Sequence, residues 1–285
     1  MASLRQTLTK FNGFPKLVFE TFPRAYSGAA SKDLVNVAVN EKSGVATLTL
    51  QRLPVNSLNL EFIQAINQSL TELSKSKCRG VILTSASPKV FSAGLDITEM
   101  FQPKLDRAKE FWSSLQDLWL NLYGSTLPTA AAIVGHAPAG GCLLSMSCEY
   151  RVMAPNCTIG LNETQLGLIA PPWFSDTMLN TIGSRQTEAA LTAGRLFTTA
   201  EALQIGLIDE IGNSREEIIS KCEKFFERFK RISPQARYLS KLATRAKALE
   251  DLRTNRQKDL DLFIKTITDP ITQKILGMYL QSLKK

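Results

Sequence analysis

Three stretches of this sequence hold residue types that can do chemistry. Two are small-residue segments, Phe91-Ser92-Ala93-Gly94-Leu95-Asp96-Ile97 and Ala137-Pro138-Ala139-Gly140-Gly141-Cys142. Each follows a short apolar run and precedes a helical pattern. Small residues at a strand-to-helix turn let backbone N–H groups point outward. The first N–H groups of a helix also lack intrahelical partners and lie at its positive end. Two such turns side by side would clamp one oxygen, as an oxyanion hole does. A glycine at such a turn also serves turn geometry alone. Neither segment has the G-x-G-x-x-G or G-x-x-x-x-G-K spacing of nucleotide loops.

The third stretch is Ile159-Gly160-Leu161-Asn162-Glu163-Thr164-Gln165-Leu166-Gly167, a strand exit with apolar residues on both sides of the polar run that holds Glu163. A carboxyl in apolar surroundings has its charged form disfavoured, so its pKa rises toward the range useful for proton transfer near neutrality. That suits a general base. The plainer reading is a carboxylate at the start of a helix on a solvated turn.

Other chemistries find little support. His136 is the only histidine, which leaves no histidine-rich metal site, and no metal ligand set is assigned. Cys78, Cys142, Cys148, Cys157 and Cys222 are odd in number and form no C-x-x-C pair, so a disulfide framework is not expected and a reducing compartment fits. No apolar run approaches the roughly 18 residues of a membrane-spanning helix.

The elements that must position these stretches are legible from periodicity. Alternation at Val35, Val37 and Val39, then Val45, Thr47 and Thr49, flanks the turn residues Asn40 to Gly44 and reads as a β-hairpin. Phe62, Ile63, Ile66, Leu70 and Leu73 mark a helix capped at Ser57 or Asn59. Gly80 to Thr84 and Ala130 to Val134 read as buried strands, with an amphipathic helix through Phe111, Leu115, Leu118, Trp119 and Leu122 between them. Strands are expected again at Tyr150 to Met153, Thr158 to Gly160 and Leu207 to Ile211. Past Ser214 the pattern is helical, over Glu216 to Phe229, Gln235 to Leu249 and Ile275 to Leu283. The class is α/β.

Net charge is +8, and two stretches hold the excess. Residues 1 to 31 carry Arg5, Lys10, Lys16 and Arg24 against Glu20, with Ser, Thr and Phe between them, and read as a mitochondrial transit peptide. Twelve Lys/Arg lie between Lys221 and Lys258 against Glu223, Glu227, Glu250 and Asp251. This is a solvated helix face or an anion-binding one. No aromatic interleaving or RNA-binding motif accompanies it, so nucleic acid is not the expected partner.

The two glycine segments, in this order, resemble the crotonase or enoyl-CoA hydratase/isomerase superfamily, and the run Phe91 to Met100 is similar to its acyl-CoA signature. The similarity covers roughly residues 35 to 230. It implies a right-handed spiral of ββα turns with a C-terminal helical region. The core spans 32–230, and 231–285 packs over it or onto a neighbouring subunit of a homotrimer. It implies an acyl-CoA substrate, no separate cofactor, and a place in the mitochondrial matrix. Leu95 and Gly140 N–H groups would hold the thioester oxygen, with Ala93, Gly94, Leu95, Asp96 and Ile97 along the coenzyme A path.

In hydratases of the family two glutamates activate water. One matches Glu163, and the other position is Leu143 here. An apolar side chain cannot activate water, so the resemblance implies a double-bond isomerase with Glu163 as sole base. Asn162 would steer that carboxylate or touch the thioester. Leu168 to Phe174 is similar to the isomerase branch. Pro171 and Pro172 would stiffen the pocket wall, and Trp173 and Phe174 would face the acyl tail or the core. A hydratase or thioesterase using Asp96 or Glu99 is the rival, with Asp96 read as a helix cap and Glu99 as outward-facing. A third reading is an RNA-binding relative.

Overall fold

The computed structural model describes residues 34–283. The leader expected over 1–31 therefore lies outside the described residues. The chain opens as a hairpin of β1 (Val35–Val39) and β2 (Val45–Leu50). Its turn is closed by the Asn40 carbonyl and side chain, which accept the N–H groups of Gly44, Lys42 and Ser43. Helix α1 (Leu60–Lys75) starts at Asn59, whose side chain accepts the Phe62 N–H at 3.1 Å.

The remaining strands are β3 (Gly80–Ser85), β4 (Thr129–Ile133), β5 (Ala137–Pro138), β6 (Tyr150–Met153), β7 (Thr158–Gly160), β8 (Phe197–Thr198) and β9 (Glu210–Ile211). Strands β1-β2-β3-β4-β6-β9 form one sheet in that order, parallel from β2 onward, and β5-β7-β8 form a second. From β4 to β7 the chain alternates between the two sheets, as a spiral of ββα turns requires. The expected strand Leu207 to Ile211 shrinks to its last two residues, because Leu207 and Ile208 turn their side chains into the core from a loop.

Strand β3 shows why buried strands read as unbroken apolar runs. Val81 and Leu83 enter the main core while Ile82 faces the opposite side, against Phe225 and Phe226 of α6 (Arg215–Glu227). The main core is closed by α1, α2 (Leu105–Tyr123), α3 (Gly140–Ser147) and α4 (Pro172–Ala193). A short α5 (Thr199–Gln204) follows β8 and begins with a capping box between Thr198 and Glu201.

Two C-terminal helices, α7 (Pro234–Thr268) and α8 (Pro270–Ser282), fold back over the same chain. Helix α7 packs on α2 and α4 and is much longer than the expected Gln235 to Leu249. Asp259 anchors it, accepting the indole N–H of Trp112 at 2.7 Å, that of Trp173 at 3.2 Å and the Gln116 amide at 2.8 Å. Trp173 and Phe174 lie in the aromatic core with Trp112 and Trp119, which settles their placement as core residues. Asp259→Ala would leave three donors without their acceptor. It should cost about 3 kcal/mol, read as a lower urea midpoint at unchanged m-value.

The basic stretch Lys221 to Lys258 is divided: Lys224, Arg228, Lys230, Arg231, Lys247, Arg253 and Lys258 are exposed, and the others are held against the fold. Arg237 and Lys241 pair with Glu149, and Arg256 with Asp117. Arg245 donates to the carbonyls of Tyr123 and Ser147, which end α2 and α3. Lys221, Lys247 and Arg253 pair along their own helices. The buried and half-buried cations act as caps and latches for α6 and α7, and the exposed ones form a solvated face. Among the described residues no helix is long and apolar enough to cross a membrane.

Candidate active site

The first glycine segment leaves β3 through the buried Phe91 and runs alongside Leu58. Four of its seven N–H groups have an acceptor among the described residues, including that of Phe91 on the His136 carbonyl at 2.8 Å. Ala93 donates to the Val55 carbonyl at 2.9 Å, Gly94 to the Ser92 hydroxyl at 3.2 Å and Asp96 to the Leu58 carbonyl at 3.0 Å. Of the four residues Ala93 to Asp96, Leu95 alone has an N–H with no acceptor among the described residues. A backbone N–H without a partner is uncommon in a folded protein, so the question is what it is kept for.

The second segment supplies a matching group. Helix α3 begins at Gly140, and its N-cap Ala139 sits at φ 49°, ψ −120°, a conformation costly for a residue with a Cβ. Ala139 is held there by donating to the Gly160 carbonyl at 2.8 Å. As the first helical residue, Gly140 has no acceptor among the described residues for its own N–H. The two segments touch. A Cβ placed on Gly94, itself at φ 87°, would lie 3.0 Å from the Gly140 nitrogen, and one on Gly140 would lie 3.3 Å from the Gly94 Cα. Two uncommitted N–H groups on abutting loops can bind one oxygen.

Glu163 follows β7 and opens a 3-10 turn, Glu163–Leu166. Leu161 before it enters the core, and the Glu163 Oε2 is buried with no hydrogen-bond partner. Burial lifts its pKa from 4.5 to about 7, opposed in part by a hydrogen bond from its own main-chain N–H. Burial thus moves its titration toward neutrality, unlike that of a solvated helix-start carboxylate. Cys142 lies within electrostatic reach. Burial, and then the Glu163 charge, push its thiol well above the ordinary range.

Leu143, one residue further along α3, is buried and apolar. Asn162 precedes the base and uses its carbonyl to accept the Gln165 N–H at 3.1 Å, while its side chain makes no hydrogen bond among the described residues. Ile97 is half-buried against the core.

The rival carboxylates are both occupied. Asp96 caps the turn Ile97–Glu99 by accepting the Thr98 N–H, and pairs with Arg52 at 2.9 Å. Glu99 corrects an expectation. It is buried, not outward-facing, because it accepts the Leu60 N–H at 3.1 Å and a two-pronged bond from Arg107 at 2.7 and 2.9 Å. Nothing in its sequence neighbourhood signalled a partner on another helix. Among the described residues no cluster of three or more metal-ligating side chains occurs.

Helix α8 closes over the region, which sequence reasoning did not locate. Gln273 accepts the Gln102 N–H and donates to the Met100 carbonyl, both at 2.8 Å, just past the first loop. Ile275 packs where a Cβ on Gly167 would lie 2.7 Å from its Cδ1, just past the base. One helix thus spans the exits of both functional stretches.

The family described as enoyl-CoA hydratase/isomerase matches residues 40–285. The mitochondrial enoyl-CoA delta isomerase 1 of Mus musculus is 43% identical over 254 residues, 88% of this chain and 88% of that protein. Its Homo sapiens counterpart is 45% identical over 246 residues, 85% of this chain and 81% of that protein. A crystal structure of human mitochondrial delta3-delta2-enoyl-CoA isomerase superposes with a TM-score of 0.85, covering 88% of this chain and 98% of that one at 44% identity. With two glycine loops in contact, a glutamate with a buried carboxylate oxygen beyond the second of them, and matches over most of its length, the chain belongs to the enoyl-CoA hydratase/isomerase, or crotonase, family.

Proposed function

We propose that this enzyme moves the double bond of a 3-enoyl-CoA, cis or trans, to give trans-2-enoyl-CoA in fatty acid β-oxidation. The observation that carries the reading is a single buried carboxylate, Glu163 with its unpartnered Oε2, in a site where Leu143 supplies no second acid.

Glu163 takes a proton from C2, and the electron pair of that C–H bond delocalises through the thioester and the C3–C4 double bond as a dienolate. The Leu95 and Gly140 N–H groups hold the thioester oxygen as its negative charge develops. The protonated Glu163 then delivers the proton to C4, and the double bond settles between C2 and C3. Substrate and product are isomers, so no redox cofactor is required, and coenzyme A enters as part of the substrate. Main-chain groups from Ala93 to Ile97 line its path, and the Asn162 side chain, which makes no hydrogen bond among the described residues, is left to meet the thioester.

The mitochondrial relatives and the basic 1–31 leader support the matrix as its location, with the leader as a transit peptide. Family likeness supports a homotrimer, for which 231–285 offers helical surface around the 32–230 core. The assay that tests the function compares trans-3-hexenoyl-CoA with crotonyl-CoA. Conversion of the first to the conjugated isomer should dominate. Dominant addition of water to the second would replace this reading with a hydratase.

A further inference from the structure

We infer that Ser92 is a positioning residue that sets the Leu95 and Gly140 N–H groups at the spacing one thioester oxygen needs; the inference rests on the clamp proposed above. Gly94, at φ 87° and without a Cβ, cannot fix the loop by its own sterics. The Leu95 N–H lies in the Gly94–Leu95 peptide, whose carbonyl accepts the Leu58 N–H at 2.8 Å; for that N–H to keep its direction, the Ala93–Gly94 peptide on the other side of Gly94 must be held as well. The Ser92 hydroxyl does this by accepting the Gly94 N–H at 3.2 Å.

The direction of that hydrogen bond is not free to reverse. Ser92 is fully buried, and its single hydroxyl proton goes to the Asn56 carbonyl at 2.8 Å. Its lone pairs are left for Gly94. Asn56 is equally buried, at φ 51°, and its amide donates to the Ser85 hydroxyl at 2.8 Å and the Phe91 carbonyl at 3.0 Å. The first loop is thus tied through Ser92 and Asn56 to the end of β3.

The same residue meets the second loop from behind. A Cβ on Gly141 would fall 2.3 Å from the Ser92 carbonyl oxygen and 3.3 Å from the Ser92 Cβ, so the start of α3 rests directly on Ser92. One side chain and its own carbonyl therefore fix both halves of the clamp. Ser92 touches no reacting atom in this arrangement.

The test reads carbonyl polarisation in the full chain, in a Glu163→Gln background that does not turn over. With hexenoyl-CoA bound, difference infrared should show the thioester carbonyl stretch lowered relative to free hexenoyl-CoA. Adding Ser92→Ala should remove most of that lowering while hexenoyl-CoA still binds with closely similar affinity. In the Glu163 enzyme, Ser92→Ala should reduce kcat on the order of 10- to 100-fold with little change in KM, since a donor is displaced rather than deleted. Ser92→Thr, which retains the hydroxyl, should restore both readouts. Should the alanine variant not fold, Ser92→Cys, near in shape but a weak acceptor, takes its place with the same expected loss. A lowering that survives loss of the Ser92 hydroxyl overturns the inference. No lowering in Glu163→Gln alone would instead remove the clamp itself.

Discussion

Glu163→Gln is expected to reduce isomerase kcat by on the order of 10² to 10⁴-fold, the contribution usual for a positioned acid–base group. Gln keeps the shape but can neither take the C2 proton nor return it at C4. Because burial sets the Glu163 pKa at about 7, kcat/KM of the unmodified enzyme should rise with pH through that value and level off above it. Stability should run the other way. The folded state binds the Glu163 proton more tightly than the unfolded chain, so its contribution is fully present below the unfolded pKa and is lost as pH rises through about 7. Thermal melts of Glu163→Gln should therefore exceed those of the parent above neutrality and converge with them in acid. A variant with full turnover would end the single-base mechanism.

The second large effect concerns Gly94→Ala. The new methyl would lie 2.9 Å from the Ala139 Cβ, 3.0 Å from the Gly140 nitrogen and 3.3 Å from the Pro138 carbonyl, none of them the end of a flexible side chain. The second loop must retreat, and Gly94 would also hold a Cβ at φ 87°. Losing one donor of an oxyanion clamp costs roughly 10² to 10³ in rate, and kcat/KM should fall by that order. Gly206→Ala is the matched control. It too is at positive φ, 77°, but nothing lies within 4 Å of its added Cβ, so it should cost stability without touching turnover. Equal losses of turnover in the two variants would show that backbone strain, not loop spacing, is being measured.

The parts of the fold that announce themselves in sequence are those with enough residues to show a period. Strand β6 runs over the expected Tyr150 to Met153, β3 extends one residue past its expected end, and β4 is shifted by one residue at each end. Strands β5, β8 and β9 have two residues each, too few to carry any alternation. The second half of α7 was invisible for a different reason. After Leu252 the next fully buried apolar residue is Phe263, and the helix is held in between by Arg256 and Asp259, which engage Asp117, Gln116, Trp112 and Trp173. Polar anchoring leaves no apolar stripe to read.

Within the candidate site, Glu163 was legible mainly through the family resemblance, since its immediate neighbours Asn162, Thr164 and Gln165 are polar. The two loops were legible only through their glycines, since the groups that matter there are main-chain N–H groups. Ser92, Gln273 and the buried pairing of Glu99 carried no signal, because each depends on a contact with another part of the chain that local spacing does not encode.

The Cys142 thiol beside Glu163 bears on the enzyme's durability. A trans-2-enoyl thioester is an electrophile at C3, and a thiolate within reach would add to it and leave the enzyme alkylated by its own product. Burial and the neighbouring carboxylate keep Cys142 as the uncharged thiol, which is a poor nucleophile. In the proposed reaction, the burial that raises the Glu163 pKa also raises that of Cys142, which disfavours thiolate addition to the conjugated product.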